Sequence, residues 1–212
     1  MGRPAGVARR RALRRVLAAR ARAQRRAPRR PVQALRVDPG HGFEWSRLLL
    51  QLDAAGAGAG GADAGADAGA GAGIPGPHLD AARHLFDRAL ADGWDTVEGG
   101  FFYTVDWHGR PIVQRRFHWV AAEAIGAAEV LARVTGEERY AQLAEDWWAY
   151  ARTHLVDAEH GSWHHELDVH NRPSSAVWDG KPDIYHAGQA LLLADVPVSG
   201  SLAESVKVAA SR

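Results

Sequence analysis

The sequence predicts an all-α fold in which helix pairs pack side by side as an α/α solenoid or toroid, with short β-hairpins over one end. Three observations predict it. Apolar residues recur at three- and four-residue steps through segments long enough to be helices. Those segments come in pairs. Beside them stand short stretches, GGFFYTVDWHGRPI (99–112) and GSWHHELDVHNRP (161–173), that read as aromatic-rich hairpins around a turn. No exact sequence repeat accompanies this rhythm of long helix, helix, hairpin.

Residues 1–36 hold 13 arginines and no acid. The other 13 of the 26 basic residues face all 25 acids in residues 37–212, a net charge of −12 there against +1 for the whole chain. That is an acidic globular domain behind a basic tail, not a uniform nucleic-acid binder. Alanine and arginine favour helix, but the tail has little to bury, so it is expected to be disordered and without a catalytic role. Its charge could meet phosphates, but nucleic acid is not expected as the partner of the domain.

From Glu44 to Leu52 the pattern is helical, with Phe43, Trp45, Leu48, Leu49 and Leu52 on one stripe. The run AAGAGAGGADAGADAGAGAG (54–73) is too glycine-rich to pack, so residues 54–76 are expected to form a flexible surface loop. Residues 78–91 form an amphipathic helix stopped by Gly93. Helices follow from about Phe117 to Val134 and from about Glu137 to His154, the second carrying Tyr140, Leu143, Trp147, Trp148 and Ala151 on one stripe. Pro182 is placed in the first turn of a helix running to Leu193, where its missing N–H costs nothing. Residues 199–209 add a weak terminal helix.

The chain has no cysteine, which excludes disulfides and thiolate zinc sites and fits a cytoplasmic location. No apolar run reaches the ~18 residues that span a bilayer, and the tail lacks the apolar core of a secretory signal. The G-x-S-x-G, Walker and Rossmann signatures are missing as well. Eight tryptophans and eleven histidines are the compositional oddity. Tryptophan faces often stack on sugar rings, but bulky core packing is the commoner use of these amphipathic side chains.

Two strings carry most of the chemistry: PGHGFEW (39–45) and KPDIYH (181–186). Each sets a histidine at an element boundary with an aromatic and a carboxylate close by. Proline and glycine place His41 just before a helix, with Glu44 three residues on as a candidate orienting group or a plain cap. His186 falls in a first helical turn beside Tyr185, with Asp183 either a functional carboxylate or an N-terminal charge. Arg116, His118, Trp119 and Glu123 open another helix. Trp119 and Glu123 share a face at i, i+4, suited to a sugar ring and its hydroxyls or to ordinary packing. The cluster His164, His165, Glu166, Asp168, His170 lacks the H-E-x-x-H spacing of zinc hydrolases, so hydroxyl binding or hairpin stabilisation is preferred and no metal is expected.

PGHGFEWSRLLLQL, RRFHWVAAEAIGAA, GSWHHELD and KPDIYHAGQALLL, in that order over about 37–195, resemble the N-acylglucosamine 2-epimerase superfamily. The KPDIYH ending is closer to its aldose–ketose isomerase branch, the mannose and sulfoquinovose isomerases. The resemblance implies the C-terminal half of an (α/α)6 barrel with hairpins at the active-site mouth, a monosaccharide substrate, and no metal or organic cofactor. It assigns His41 and His186 to proton transfer with the sugar and Glu44 to the acidic partner of His41. It places Arg116, Trp119, Glu123, Trp163, Glu166, Asp183 and Tyr185 around the sugar. The expected reaction interconverts an aldose and a ketose, such as D-mannose and D-fructose, through a cis-enediol. A 2-epimerase and a non-catalytic sugar-binding fragment are the alternatives. Family members carry further helices ahead of PGHGFEW, so fold and catalytic competence are separate expectations. A half barrel would expose a wide apolar seam, which homo-oligomerisation could cover.

Overall fold

The structure, a computed structural model, describes residues 36–60 and 76–211. The arginine-rich tail and residues 61–75 of the Gly/Ala-rich segment lie outside the described residues. Within them are six α-helices: α1 (Pro39–Gly60), α2 (Leu79–Gly93), α3 (His118–Thr135), α4 (Glu138–Tyr150), α5 (Tyr185–Asp195) and α6 (Leu202–Ala210). None is long and apolar enough to cross a membrane.

The core is organised around α3. This helix is buried at almost every position from Val120 to Leu131, as a helix that is apolar all round must be. Helices α1, α4 and α5 pack against it, and α2 packs on α1. Helix α2 turns Leu79, Ala82, Phe86 and Ala89 inward, and α4 turns Tyr140, Ala144 and Trp147 inward, both at helical spacing. Phe43 of α1 meets Phe86, Phe101 and Trp147 edge to face, with centroids 5.2–5.7 Å apart. Each such pair stabilises by about 0.5–1.5 kcal/mol beyond area burial. Gly126 of α3 lets two neighbours approach: a Cβ there would meet Leu193 Cδ1 at 3.0 Å and Arg47 Cδ at 3.6 Å.

Both expected hairpins form. Strand β1 (Thr104–Val105) pairs with β2 (Pro111–Val113), and β4 (Glu166–Leu167) pairs with β5 (Pro173–Ser174). A further strand, β3 (Arg116–Phe117), also pairs with β4. The sequence reads Phe117 as helical; instead it is extended and leads into α3. The pairing ties the start of α3 to the second hairpin, and the His118 N–H donates to the His165 carbonyl at 3.2 Å.

Four further expectations are corrected. Helix α1 begins at Pro39, so His41 lies inside its first turn rather than ahead of it. The same helix continues through 54–60, where a loop is expected. Alanine is the best helix former, and extending an existing helix is far easier than nucleating one. Helix α4 gives way at Ala151 to a π-helical turn ending at Leu155, so the regular helix stops short of His154. Helix α5 begins at Tyr185, three residues beyond Pro182; Asp183 Oδ1 accepts the Tyr185 N–H at 2.8 Å and shapes the entry.

The buried face of α1 also differs from the stripe read in the sequence. Phe43, Ser46, Arg47, Leu50 and Gln51 face inward, while Trp45, Leu48 and Leu52 are exposed. A charged residue thus occupies the core side of an otherwise apolar helix.

Candidate active site

Three helix starts converge. His41 comes from the first turn of α1, Trp119 from that of α3 and His186 from that of α5. The Trp119 indole has its centroid 5.2 Å from the His41 ring and 5.7 Å from the His186 ring. Both imidazoles therefore border one aromatic plate. Gly40 makes room for it: a Cβ at residue 40 would lie 2.4 Å from Trp119 Cζ3. Replacing Gly40 by alanine is expected to displace the indole and to cost about 1–3 kcal/mol by overpacking. Proton NMR should show the Hε1 resonances of both His41 and His186 moving together; unmoved resonances would mean that the indole yields elsewhere.

His186 is 24% exposed and its Nδ1 lies 2.9 Å from Glu123 Oε1. Glu123 is fully buried. Its Oε1 also accepts from Gln189 Nε2 at 3.0 Å, and its Oε2 accepts from Arg47 Nη2 at 3.0 Å and Nε at 3.3 Å. Burial opposes ionisation of this carboxyl, but the His186 hydrogen bond and the Arg47 guanidinium outweigh it and hold Glu123 below the ordinary carboxylate range. An ionised carboxylate only accepts, so His186 donates through Nδ1 and its neutral ring keeps the lone pair on Nε2.

His41 is 61% exposed, and its carboxylate partner is Asp38, at 3.3 Å from Nδ1 to Oδ2. Glu44, expected in that role, makes no hydrogen bond or ion pair to His41 among the described residues. With His41 inside the helix, Asp38 lies three residues back across the first turn and also accepts the Gly40 N–H at 2.9 Å. Burial raises the Asp38 pKa, with His41 and the backbone donors acting in the opposite direction.

The structure adds a second layer that spacing did not mark. His118 is buried, with its ring 6.1 Å from His186 and 5.1 Å from His165. Its Nδ1 is 3.2 Å from the His165 carbonyl, and its Nε2 is buried with no hydrogen-bond partner among the described residues. The His165 ring in turn stacks at 5.5 Å and 9° on the half-exposed Trp178. Burial pushes the His118 pKa down to about 4, with the nearby His165 and His186 charges adding to it against the His165 carbonyl. The unfolded value is near 6.5, so the folded chain binds fewer protons between these limits. Stability is therefore present above pH 6.5 and lost as pH falls towards 4, by roughly 3 kcal/mol for this group. Urea unfolding at pH 7 and pH 4.5 is expected to show a smaller acid loss in His118→Gln than in the parental chain. Equal losses would assign the acid sensitivity to the carboxylates.

Other expected sugar contacts are placed elsewhere. Arg116 is buried, its Nη2 held by Asp95 at 2.6 Å and by the Gly99 carbonyl, with Phe102 beneath the guanidinium. The Nη1 of its neighbour Arg115 instead reaches Glu166 and Ser174. Trp163 is buried in the core, edge-on to Trp148 at 6.1 Å. Both Glu166 oxygens are committed to donors from Arg115, Ser174, Ala176 and Val177. Its carboxylate thus anchors the loop that leads to Trp178. Asp183 is exposed and shapes the entry to α5, and Tyr185 is exposed with its ring 4.8 Å from His186. No group of three or more histidine or acidic side chains able to hold a metal occurs among the described residues.

A family model for N-acylglucosamine 2-epimerase (GlcNAc 2-epimerase) matches residues 21–190, and the chain belongs to that family. The matched range begins ahead of residue 37, inside the arginine-rich segment. The chain is 44% identical over 170 residues to a D-mannose isomerase of Pseudomonas cannabina pv. alisalensis, covering 79% of this chain and 38% of that protein. It is 42% identical over 179 residues to a D-mannose isomerase of Thermobifida fusca, covering 82% and 39%. A crystal structure of D-mannose isomerase superposes with a TM-score of 0.61 at 27% identity, covering 78% of this chain and 39% of that one. The cellobiose 2-epimerase of Spirochaeta thermophila DSM 6192 superposes with a TM-score of 0.53 at 16% identity, covering 68% and 32%. The helices are thus those of part of an (α/α)6 barrel. The chain spans about two fifths of the length of the curated relatives it matches.

Proposed function

We propose that the chain contributes the proton-transfer face of an aldose–ketose isomerase acting on a free hexose, with D-mannose and D-fructose as the pair. The observation that carries this reading is the placement of His41 and His186, remote in sequence, against one indole. The D-mannose isomerases it resembles supply the substrate class.

In the proposed reaction the sugar opens to its aldehyde form and lies beside Trp119. Nε2 of His186 takes the C2 proton while His41, beside Asp38, gives a proton to O1, leaving the cis-enediol. His41 then removes the O2 proton and His186 returns its proton to C1, leaving a ketone at C2. Imidazole, with an ordinary pKa of about 6.5, suits both directions near neutrality. No metal or organic cofactor enters this scheme.

The test is incubation of the purified chain with D-mannose in D2O, followed by NMR. D-Fructose carrying deuterium at C1 is the expected product. A C2-epimeric aldose instead would select the 2-epimerase reading, which needs proton carriers on both faces of C2. Absence of exchange from a chain that melts cooperatively, with a melt shifted by sugar, would leave a non-catalytic sugar-binding role.

A further inference from the structure

We propose that Arg47 is a positioning residue for His186, acting through Glu123 from a helix that does not carry the imidazole. The inference deepens the isomerase reading, on which it rests only in calling Nε2 of His186 the base.

Arg47 lies on the core side of α1 and is 3% exposed. Its Nε and Nη2 both donate to Glu123 Oε2, and its Nη1 donates to Gln51 Oε1 at 2.7 Å. The other Glu123 oxygen is taken by His186 and Gln189. Both oxygens are thus occupied by donors from two flanking helices. Rotation of the buried carboxyl would break at least two charge-assisted hydrogen bonds. With Glu123 fixed, the Nδ1–H of His186 has one acceptor in one place, and the tautomer with a free Nε2 follows.

The guanidinium has a second effect. A lone buried carboxylate would draw a proton onto His186 to make an ion pair. Arg47 already supplies the opposing charge, so the imidazole can give up its proton without leaving the carboxylate uncompensated. The other groups facing His186 cannot take over this role. From α3 they are His118 and Trp119, with His41 of α1 bordering the same indole; Tyr185 comes from the start of α5. None of them is a permanent cation.

The test is a long-range 1H–15N NMR titration of the 15N-labelled chain, with His186 assigned by His186→Gln. In the parental chain the neutral ring is expected to carry its proton on Nδ1. In Arg47→Met, similar in length but uncharged, the His186 titration midpoint is expected to rise by about one to three units, the usual effect of an unshared carboxylate. A parental ring protonated on Nε2 overturns the assignment without any variant. So does an Arg47→Met chain with an intact amide spectrum and an unmoved midpoint. Should Arg47→Met not fold, Arg47→Lys decides, because an ammonium keeps the charge but loses the fork on Oε2. A smaller upward shift is expected there, and none overturns the proposal. These readouts require no turnover, so failure of sugar exchange and failure of this assignment are separate results.

Discussion

Replacing His186 by alanine is expected to slow entry of solvent deuterium at C2 of D-mannose by about 10²–10⁴-fold relative to the parental chain, the usual contribution of a positioned general base. Stability should change little by comparison. Glu123 retains Arg47 and Gln189 when the imidazole is removed, so no buried charge is left alone. Exchange followed by proton NMR, alongside a thermal melt, separates the two effects. Undiminished exchange would remove His186 from the chemistry, and collapse of the melt would show that the ring is structural.

Glu123→Ala should act in the opposite sense, on the fold before the chemistry. It strands the Arg47 guanidinium in the core, where a buried charge that loses its partner typically costs about 3–5 kcal/mol. Glu123→Gln retains the volume and one acceptor and should cost less. Urea unfolding with matched slopes measures both. A loss below about 1 kcal/mol for Glu123→Ala, the size expected of an exposed pair, would mean that water reaches Arg47.

The helices were legible because burial imposes a period. Leu79, Ala82, Phe86 and Ala89 repeat at the helical interval in the sequence and face the core in the structure. The first hairpin was legible from aromatic and polar residues alternating around the glycine turn at Gly109. Part of the candidate site could be named from the sequence: His41 and His186 border the Trp119 indole, and Glu123 is bonded to His186. What spacing could not supply was the partner of each group. Asp38 rather than Glu44 faces His41 because α1 starts earlier than its apolar pattern does. His118, His165 and Trp178 meet only after β3 pairs with β4. Arg116, Trp163 and Glu166 have the chemistry of sugar contacts, but their partners are Asp95, Trp148 and loop backbone such as the Ala176 N–H. Arg47 did leave a signal. It shares the α1 face with Phe43 and Leu50, and a charge on a core-facing stripe implies a buried counter-charge on another element.

The Arg47–Glu123–His186 chain draws one group from each of α1, α3 and α5. A folding intermediate lacking any one of these helices would have to expose the charges or leave them unpaired. The interaction therefore rewards only the complete three-helix assembly, which makes it a source of cooperativity as well as of local geometry. In native-state hydrogen exchange, the amides of α5 should open together with those of α3 rather than fray independently.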